Sequence, residues 1–209
     1  MSASEVDATR RDLLERVQTG DVSALEQLFA LHRAFLCRVI ERRMDVRVRA
    51  RVDPSDVVQE TQLEVFRRLP EFLQRDPMPF RLWLIKTANE RLSKVERFHL
   101  AAERRSSRRE VPLPDRSSLA LAQQLVASGM TASQRLARHE MVDRIRQVLT
   151  ELSELDREII LLRTLEALSN DEAACLLEIE PAAAMKRYSR ALIRLNKLLS
   201  QRGIRESQL

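Results

Sequence analysis

The chain has 209 residues, of which 32% are charged and only 4% are aromatic, and its formal net charge is +5. That length suits one domain or two small ones, and the scarcity of aromatic residues and of glycine predicts an all-α fold. The small positive excess permits binding to a polyanion. No apolar run is long enough to cross a bilayer, and charges interrupt the N-terminal residues, so we expect a cytoplasmic protein with no membrane partner.

The sequence gives no indication of metal, cofactor or enzyme chemistry. Cys37 and Cys175 lie far apart in apolar helical patterns, which predicts two reduced, buried thiols. The three histidines, His32, His99 and His139, form no group with metal-ligand spacing. We therefore expect no metal site, no cofactor and no catalytic residue.

The N-terminal block, residues 1–99, is predicted to hold four helices. Their ends follow from residues that cap or break helices. Ser4 caps the first helix, which ends near Gly20; Asp21 caps the second; Asp53-Pro54 opens the third, which ends at Pro70; a loop from Pro70 to Pro79 precedes the fourth, which begins near Phe80.

A charged, proline-broken segment, ERRSSRREVPLPDRSS, predicts a linker over residues 100–131. The C-terminal block, residues 132–209, follows with helices predicted at 132–151, 154–167, 170–177 and 181–201. The predicted caps of these helices are Thr131 with Gln134, Ser153, and Ser169 with Glu172.

The last two of these helices, within Leu168–Leu199, have the layout of a helix-turn-helix, whose second helix enters the major groove of DNA. That second helix is basic on the positions outside its apolar stripe. Its cations are suited to guanine edges and phosphates. The alternative is a solvated basic face on an ordinary helical hairpin. The basic residues are Lys186, Arg187, Arg190, Arg194 and Lys197.

The predicted third helix carries acidic residues at helical spacing. Asp56 and Glu60 share one face, as do Glu60 and Glu64, although like charges four apart repel slightly. A basic partner surface would favour this arrangement. Pairing with nearby Arg67 and Arg68 is the alternative, and a hydrolytic carboxylate pair would lack a nucleophile.

The predicted fourth helix mixes aromatic and basic residues, among them Phe80, Trp83 and Arg91. Exposed aromatics among cations can stack on unpaired bases. The alternative, which we consider stronger for Phe80 and Trp83, is that these rings belong to the core.

Three motifs occur in a familiar order: DPSDVVQETQLEVFRRL, PFRLWLIKTANERL, and LSELDREIILLRTLEALSNDEAACLLEIEPAAAMKRYSRALIRL. Together, from about Asp21 to Leu199, they resemble an extracytoplasmic-function (ECF) RNA polymerase sigma factor of the sigma-70 family. The segment VPLPDRSSLALAQQL is similar to the planctomycete-type variants of that family.

The resemblance implies two small helical domains, sigma region 2 and sigma region 4, in a regulatory subunit with no catalysis of its own. The third helix would bind the basic coiled coil of the core polymerase clamp, and the C-terminal domain would contact the polymerase flap and the minus-thirty-five element. The fourth helix would meet the minus-ten element, with a flipped base in the loop Pro70–Pro79. The implied polymerase-binding residues are Asp56, Gln59 and Glu60, and the implied DNA-binding residues are Lys186, Arg187, Ser189, Arg190, Arg194, Trp83 and Arg91.

The chain departs from the family pattern at four positions that bear on promoter sequence. Glu178 stands where the helix-turn-helix turn usually has Gly, at a cost of roughly 1 kcal/mol if the turn is left-handed, so we expect an adjusted turn. Ala184 replaces a common Val of the recognition helix, and Glu90 and Lys94 replace a common Asn and Asp.

Two alternative functions remain open at this point. A free-standing helix-turn-helix regulator would bind DNA without polymerase and would leave the acidic helix unexplained. A sigma-like decoy would sequester an anti-sigma factor and would not need the basic recognition helix. For control of activity, the alternatives are an anti-sigma factor, a kinase and the expression level.

Overall fold

The computed structural model describes residues 3–75, 77–106, 121–122 and 134–204. The regular structure of these ranges is α-helical, and they contain no β-strand, which confirms the predicted fold class. The helices are α1 (Ala3–Gln18), α2 (Val22–Arg43), α3 (Val46–Arg49), α4 (Pro54–Arg75), α5 (Phe80–Ser106), α6 (Gln134–Thr150), α7 (Glu154–Thr164), α8 (Asn170–Leu177) and α9 (Pro181–Gln201).

The chain divides into two compact units. The first comprises Met1–Arg42 and Val46–Glu103, and the second comprises Arg43–Asp45 and Arg104–Leu209. Each unit has its own buried apolar residues, as two small helical domains require.

In the first unit, apolar residues at helical spacing on α2, α4 and α5 form the core. An aromatic group lies between α4 and α5: the rings of Phe72 and Trp83 stack with centroids 4.2 Å apart, and Phe80 lies 5.7 Å from Trp83. The other large buried side chains include Leu25, Phe29, Leu36, Ile40, Leu84 and Leu92.

Helix α4 does not end at Pro70 as predicted, and it continues through that proline to Arg75. Proline lacks the N–H that would bond the carbonyl four residues back, and this loss normally breaks a helix. Here the extra turn buries Phe72, which is only 6% exposed, against Trp83. That burial offsets the lost hydrogen bond, so the first half of the predicted loop Pro70–Pro79 is helical.

Helix α5 is longer than predicted and continues to Ser106, so the start of the predicted linker is helical. Most of the remaining linker lies outside the described residues, and so does Thr131 of the predicted Thr131–Gln134 capping box. Leu121 and Ala122 are described, and both are buried in the core of the second unit.

Side-chain caps fix the helix starts that the sequence predicted. Asp21 accepts the N–H of Ala24 at 3.1 Å, and Asp53 accepts the N–H of Ser55 at 2.7 Å. Ser153 accepts from Asp156, and Ser169 with Glu172 completes a capping box. Ser4 is different, because α1 already begins at Ala3.

In the second unit, α9 packs against α6, α7 and α8. Its apolar stripe, Ala184, Ala191, Leu195 and Leu199, is buried with Ile159 and Ile160 of α7. The helix therefore presents its opposite, polar face to solvent. Across the described ranges, no helix combines the length and the apolar character needed to cross a membrane.

Candidate nucleic-acid interface and acidic surface

Helices α8 and α9 form the helix-turn-helix, and the turn between them is left-handed at Glu178 (φ 55°, ψ 42°). The Glu178 N–H donates to the carbonyls of Ala174 and Cys175. Pro181 then occupies the first turn of α9, where its missing N–H costs nothing. The expected adjustment of the turn is therefore wrong: the turn keeps its left-handed residue, at a cost of about 1–2 kcal/mol.

The solvent face of α9 is basic. Lys186, Arg190 and Arg194 are exposed, and none of them forms an ion pair with a residue that the structure describes. Their alkyl stems extend from a helix whose other face is anchored in the core. Such a face can follow the phosphate backbone and place donors at base edges.

Arg187 differs from its neighbours, because its guanidinium is directed at helix α7. It donates to the Asp156 carboxylate at 2.8 Å, and its side chain is 37% exposed while that of Asp156 is 15% exposed. This ion pair braces α9 on α7. The hydroxyl of Ser189 is also engaged within the protein, since it donates to the Met185 carbonyl at 3.2 Å.

Two exposed apolar residues of α9 were not predicted from the sequence. Met185 is 61% exposed and Ile193 is 70% exposed. Helical spacing could have identified both, because Ile193 lies opposite the buried stripe of Ala184, Ala191 and Leu195, and Met185 lies beside that stripe.

The acidic surface of α4 consists of Asp56, Gln59, Glu60 and Glu64. Asp56 and Gln59 are exposed. Glu64 accepts from Arg67 at 2.7 Å, and this hydrogen bond lowers the pKa of the Glu64 carboxyl. The predicted local pairing is therefore correct for Glu64.

Glu60 pairs across to the neighbouring helix. It accepts from Arg91 of α5 at 2.6 Å, in a pair whose side chains are 45% and 25% exposed, respectively. A second pair parallels it, in which Arg68 donates to Glu90 at 2.8 Å. These pairs fix α5 beside α4, so that residues predicted to serve two different partners are in contact.

A groove of about 420 Å³ lies beside the Glu60–Arg91 pair. The groove is lined by acidic and basic side chains, and it also has an apolar part at Phe98, which is 68% exposed. The acidic surface of α4 thus continues into a concave site suited to a partner with both charged and apolar groups. The lining residues are Arg51, Val52, Asp56, Glu60, Arg91, Lys94, Val95, Phe98 and His99.

Trp83 requires a correction. Its side chain is only 5% exposed and stacks on Phe72, so its ring has no free face for an unpaired base. The core interpretation of Phe80 and Trp83 is correct, and both rings are buried. The stack with Phe72 could not be foreseen, because the predicted helix break at Pro70 left Phe72 in a loop.

Within the described residues, no group of His, Cys, Asp or Glu side chains is arranged to hold a metal ion. Both cysteines are free thiols, and they are partly rather than fully buried.

Comparison with known proteins agrees with this geometry. Residues 143–195 match the family described as sigma-70, region 4, and this stretch spans the C-terminal part of α6, all of α7 and α8, and the first two thirds of α9. The chain is 28% identical over 190 residues to the RNA polymerase sigma factor CnrH of Cupriavidus metallidurans, covering 90% of this chain and 93% of the relative.

The fold is similar to that of a solved structure, CnrH in complex with the cytosolic domain of CnrY. The TM-score is 0.54 at 23% identity, with 92% of this chain and 98% of that chain covered. A sigma factor RpoE from Bartonella quintana, solved with the anti-sigma factor NepR, superposes with a TM-score of 0.45 at 20% identity, covering 85% of this chain and 95% of that one.

Proposed function

We propose that this protein is an ECF sigma factor that binds core RNA polymerase and directs it to specific promoters. The observation that carries the proposal is the region 4 match, which falls on a helix-turn-helix whose second helix has a basic, exposed face. The similarity to CnrH over 90% of the chain supports extending it to both units. As a regulatory subunit, the protein would have no enzymatic activity of its own and would work in the cytoplasm.

The proposal divides the chain into sigma region 2 at residues 1–99, a linker at 100–131, and sigma region 4 at 132–209. Asp56, Gln59 and Glu60 bind the basic coiled coil of the polymerase clamp. The exposure of Asp56 and Gln59 and the adjoining groove support this role.

The DNA contacts of the minus-thirty-five element come from α9, whose exposed cations include Lys186, Arg190 and Arg194, none of them in an ion pair with a described residue. Arg187 and Ser189 belong to the same surface, and Arg187 acts mainly by bracing the helix against Asp156. Arg91 lies on the minus-ten side of the protein, where its pair with Glu60 connects DNA contact to polymerase contact.

Control by a protein inhibitor of the anti-sigma type is part of the proposal, since CnrH is known in complex with the cytosolic domain of CnrY. A regulatory kinase remains an alternative means of control. The planctomycete-type assignment rests on the resemblance of the chain as a whole, including VPLPDRSSLALAQQL, and most of that segment lies outside the described residues.

Co-elution with purified core polymerase tests the proposal. We expect a stable complex, and we expect the complex to retain promoter fragments that the free chain does not retain. Duplex binding by the free chain with no polymerase complex would favour the free-standing regulator. Failure to bind polymerase or DNA, with capture of an anti-sigma factor, would favour the decoy.

A further inference from the structure

The N-terminal half of α9 exposes one large apolar side chain, Met185, with 61% of its surface in solvent. A single exposed apolar residue is common on protein surfaces and proves nothing alone. The position of Met185 in the helix is what indicates a role. Met185 lies in the second turn of the proposed recognition helix, between exposed alanines and the cations Lys186 and Arg190.

The neighbouring polar groups are partly committed within the protein. Arg187 is paired with Asp156, and the Ser189 hydroxyl donates to the Met185 carbonyl. Lys186 and Arg190 remain free of ion pairs within the described chain, and their charges suit phosphates and guanine edges. Met185 has no donor and at best a weak acceptor, so the DNA group it is suited to contact is an apolar one.

The major groove offers one apolar group on its base edges, the C5-methyl group of thymine. Ala182 and Ala183 are exposed at the start of α9, and their small side chains allow that end of the helix to approach the groove closely. Lys186 and Arg190, which follow Met185 in the helix, supply the charge complementarity that holds DNA against this end of the helix.

We propose that Met185 contacts the methyl group of a thymine in the DNA element bound by α9 and thereby selects thymine at one promoter position. This inference rests on the proposed function. It assigns a specificity-determining role to a residue that carries no charge and makes no side-chain hydrogen bond in the described structure.

The test uses holoenzyme assembled from core polymerase and the full chain. Duplexes selected by the holoenzyme from a random library are resynthesised with deoxyuridine in place of each thymine, which removes only the methyl group. We expect one upstream position where the change weakens wild-type binding about fourfold, the cost of exposing one methyl-sized group. Met185→Ala should bind the thymine and deoxyuridine duplexes equally.

Ile193→Ala is the matched control, because Ile193 is equally apolar and exposed but lies about 12 Å further along the helix axis. It should keep the wild-type preference for thymine, and Met185→Leu should retain most of it. An unchanged preference in Met185→Ala would overturn the inference and leave the proposed function standing. Failure to select any sequence would overturn both.

Discussion

Arg91 of α5 donates a 2.6 Å hydrogen bond to the carboxylate of Glu60 on α4. The two residues carry the proposed contacts to different partners, since Glu60 lies in the polymerase-binding set and Arg91 in the DNA-binding set. A partner cation that approaches Glu60 must therefore share its carboxylate with Arg91. If Glu60 binds the polymerase as proposed, polymerase binding and the position of Arg91 are coupled through this pair.

Replacing Glu60 with Gln should weaken binding to core polymerase by about 1.5–3 kcal/mol, the usual range for a hydrogen bond that involves a charged group. Thermal stability should change by less than about 1 kcal/mol, because the Glu60–Arg91 pair is partly exposed. Titration of labelled protein with core polymerase measures the affinity. Glu26→Gln removes an exposed carboxylate of α2 as a control, and an equal effect of both changes would contradict the assignment.

Arg91→Met and Glu60→Gln should be non-additive in polymerase affinity. Residues in direct contact typically show coupling of about 0.5–3 kcal/mol in a double-mutant cycle. The four titrations of wild type, both single variants and the double variant give that coupling. A coupling of zero would mean that Arg91 does not shape the polymerase contact.

Lys186 and Arg187 are neighbours in sequence, yet they should respond differently to substitution by methionine. Lys186 is exposed and unpaired among the described residues. Lys186→Met should therefore reduce the slope of log DNA affinity against log salt concentration by about one and leave stability unchanged. Arg187→Met removes the brace to Asp156 and should cost up to about 1 kcal/mol of stability. Salt titrations of holoenzyme binding and thermal unfolding of the free chain give the two readings. Equal effects of both variants in both assays would contradict this division.

Among the residues that the structure describes, two that are not glycine adopt left-handed backbone conformations, Ala167 at φ 52° and Glu178 at φ 55°. Substitution of either by glycine relieves the strain on Cβ but enlarges the entropy of the unfolded chain. We expect a net gain of about 0.5–1 kcal/mol in the free energy of unfolding, because the relieved strain exceeds the added entropy of the unfolded chain. Urea denaturation measures it. Ala183→Gly, in the exposed helical part of α9, should instead lose about 0.5–1 kcal/mol. Destabilisation by all three changes would show that the turns are not strained.

The acid sensitivity of the first unit should depend on Asp21. Its pKa is lowered, mainly because Arg16 donates to the carboxylate at 2.8 Å and also because the Ala24 N–H donates at 3.1 Å. A carboxyl with a lowered folded-state pKa stabilises the fold above its unfolded pKa, about 4, and that contribution disappears as the pH falls through the folded value. Asp21→Asn keeps a helix cap without a titrating group. Its stability should therefore fall less than that of the wild type as the pH drops below about 4, as followed by circular dichroism. Superimposable curves would contradict this role.

Trp83 is the only tryptophan of the chain, so its fluorescence reports directly on the aromatic group of the first unit. A ring that is 5% exposed should show a blue-shifted emission and little quenching by acrylamide. Single-stranded DNA should leave the emission unchanged. Phe72→Ala should shift it to the red and destabilise the fold by about 3–5 kcal/mol. Strong quenching by DNA at low salt would restore a base-stacking role for Trp83.

The sequence predicted the elements whose ends are set by local chemistry. The caps at Asp21, Asp53, Ser153 and Ser169 lie where their side chains bond the first free N–H groups of each helix. The predicted stop at Pro70 was wrong, because the stack of Phe72 on Trp83 is a tertiary contact that no local rule contains.

The candidate site shows the same limit. The basic face of α9 follows from helical periodicity, and Lys186, Arg190 and Arg194 are exposed on it. Which cations remain free depends on partners that are distant in sequence. Arg187 and Asp156 are 31 residues apart, as are Arg91 and Glu60. No spacing rule within a single helix reveals such pairs.

Promoter-directed initiation is tested by run-off transcription with purified core polymerase, with and without this protein, on a library of promoter DNA from its host. We expect transcripts that require the protein and whose start sites share two upstream sequence elements. Transcripts that are identical with and without the protein, although it forms a stable complex with polymerase, would contradict it.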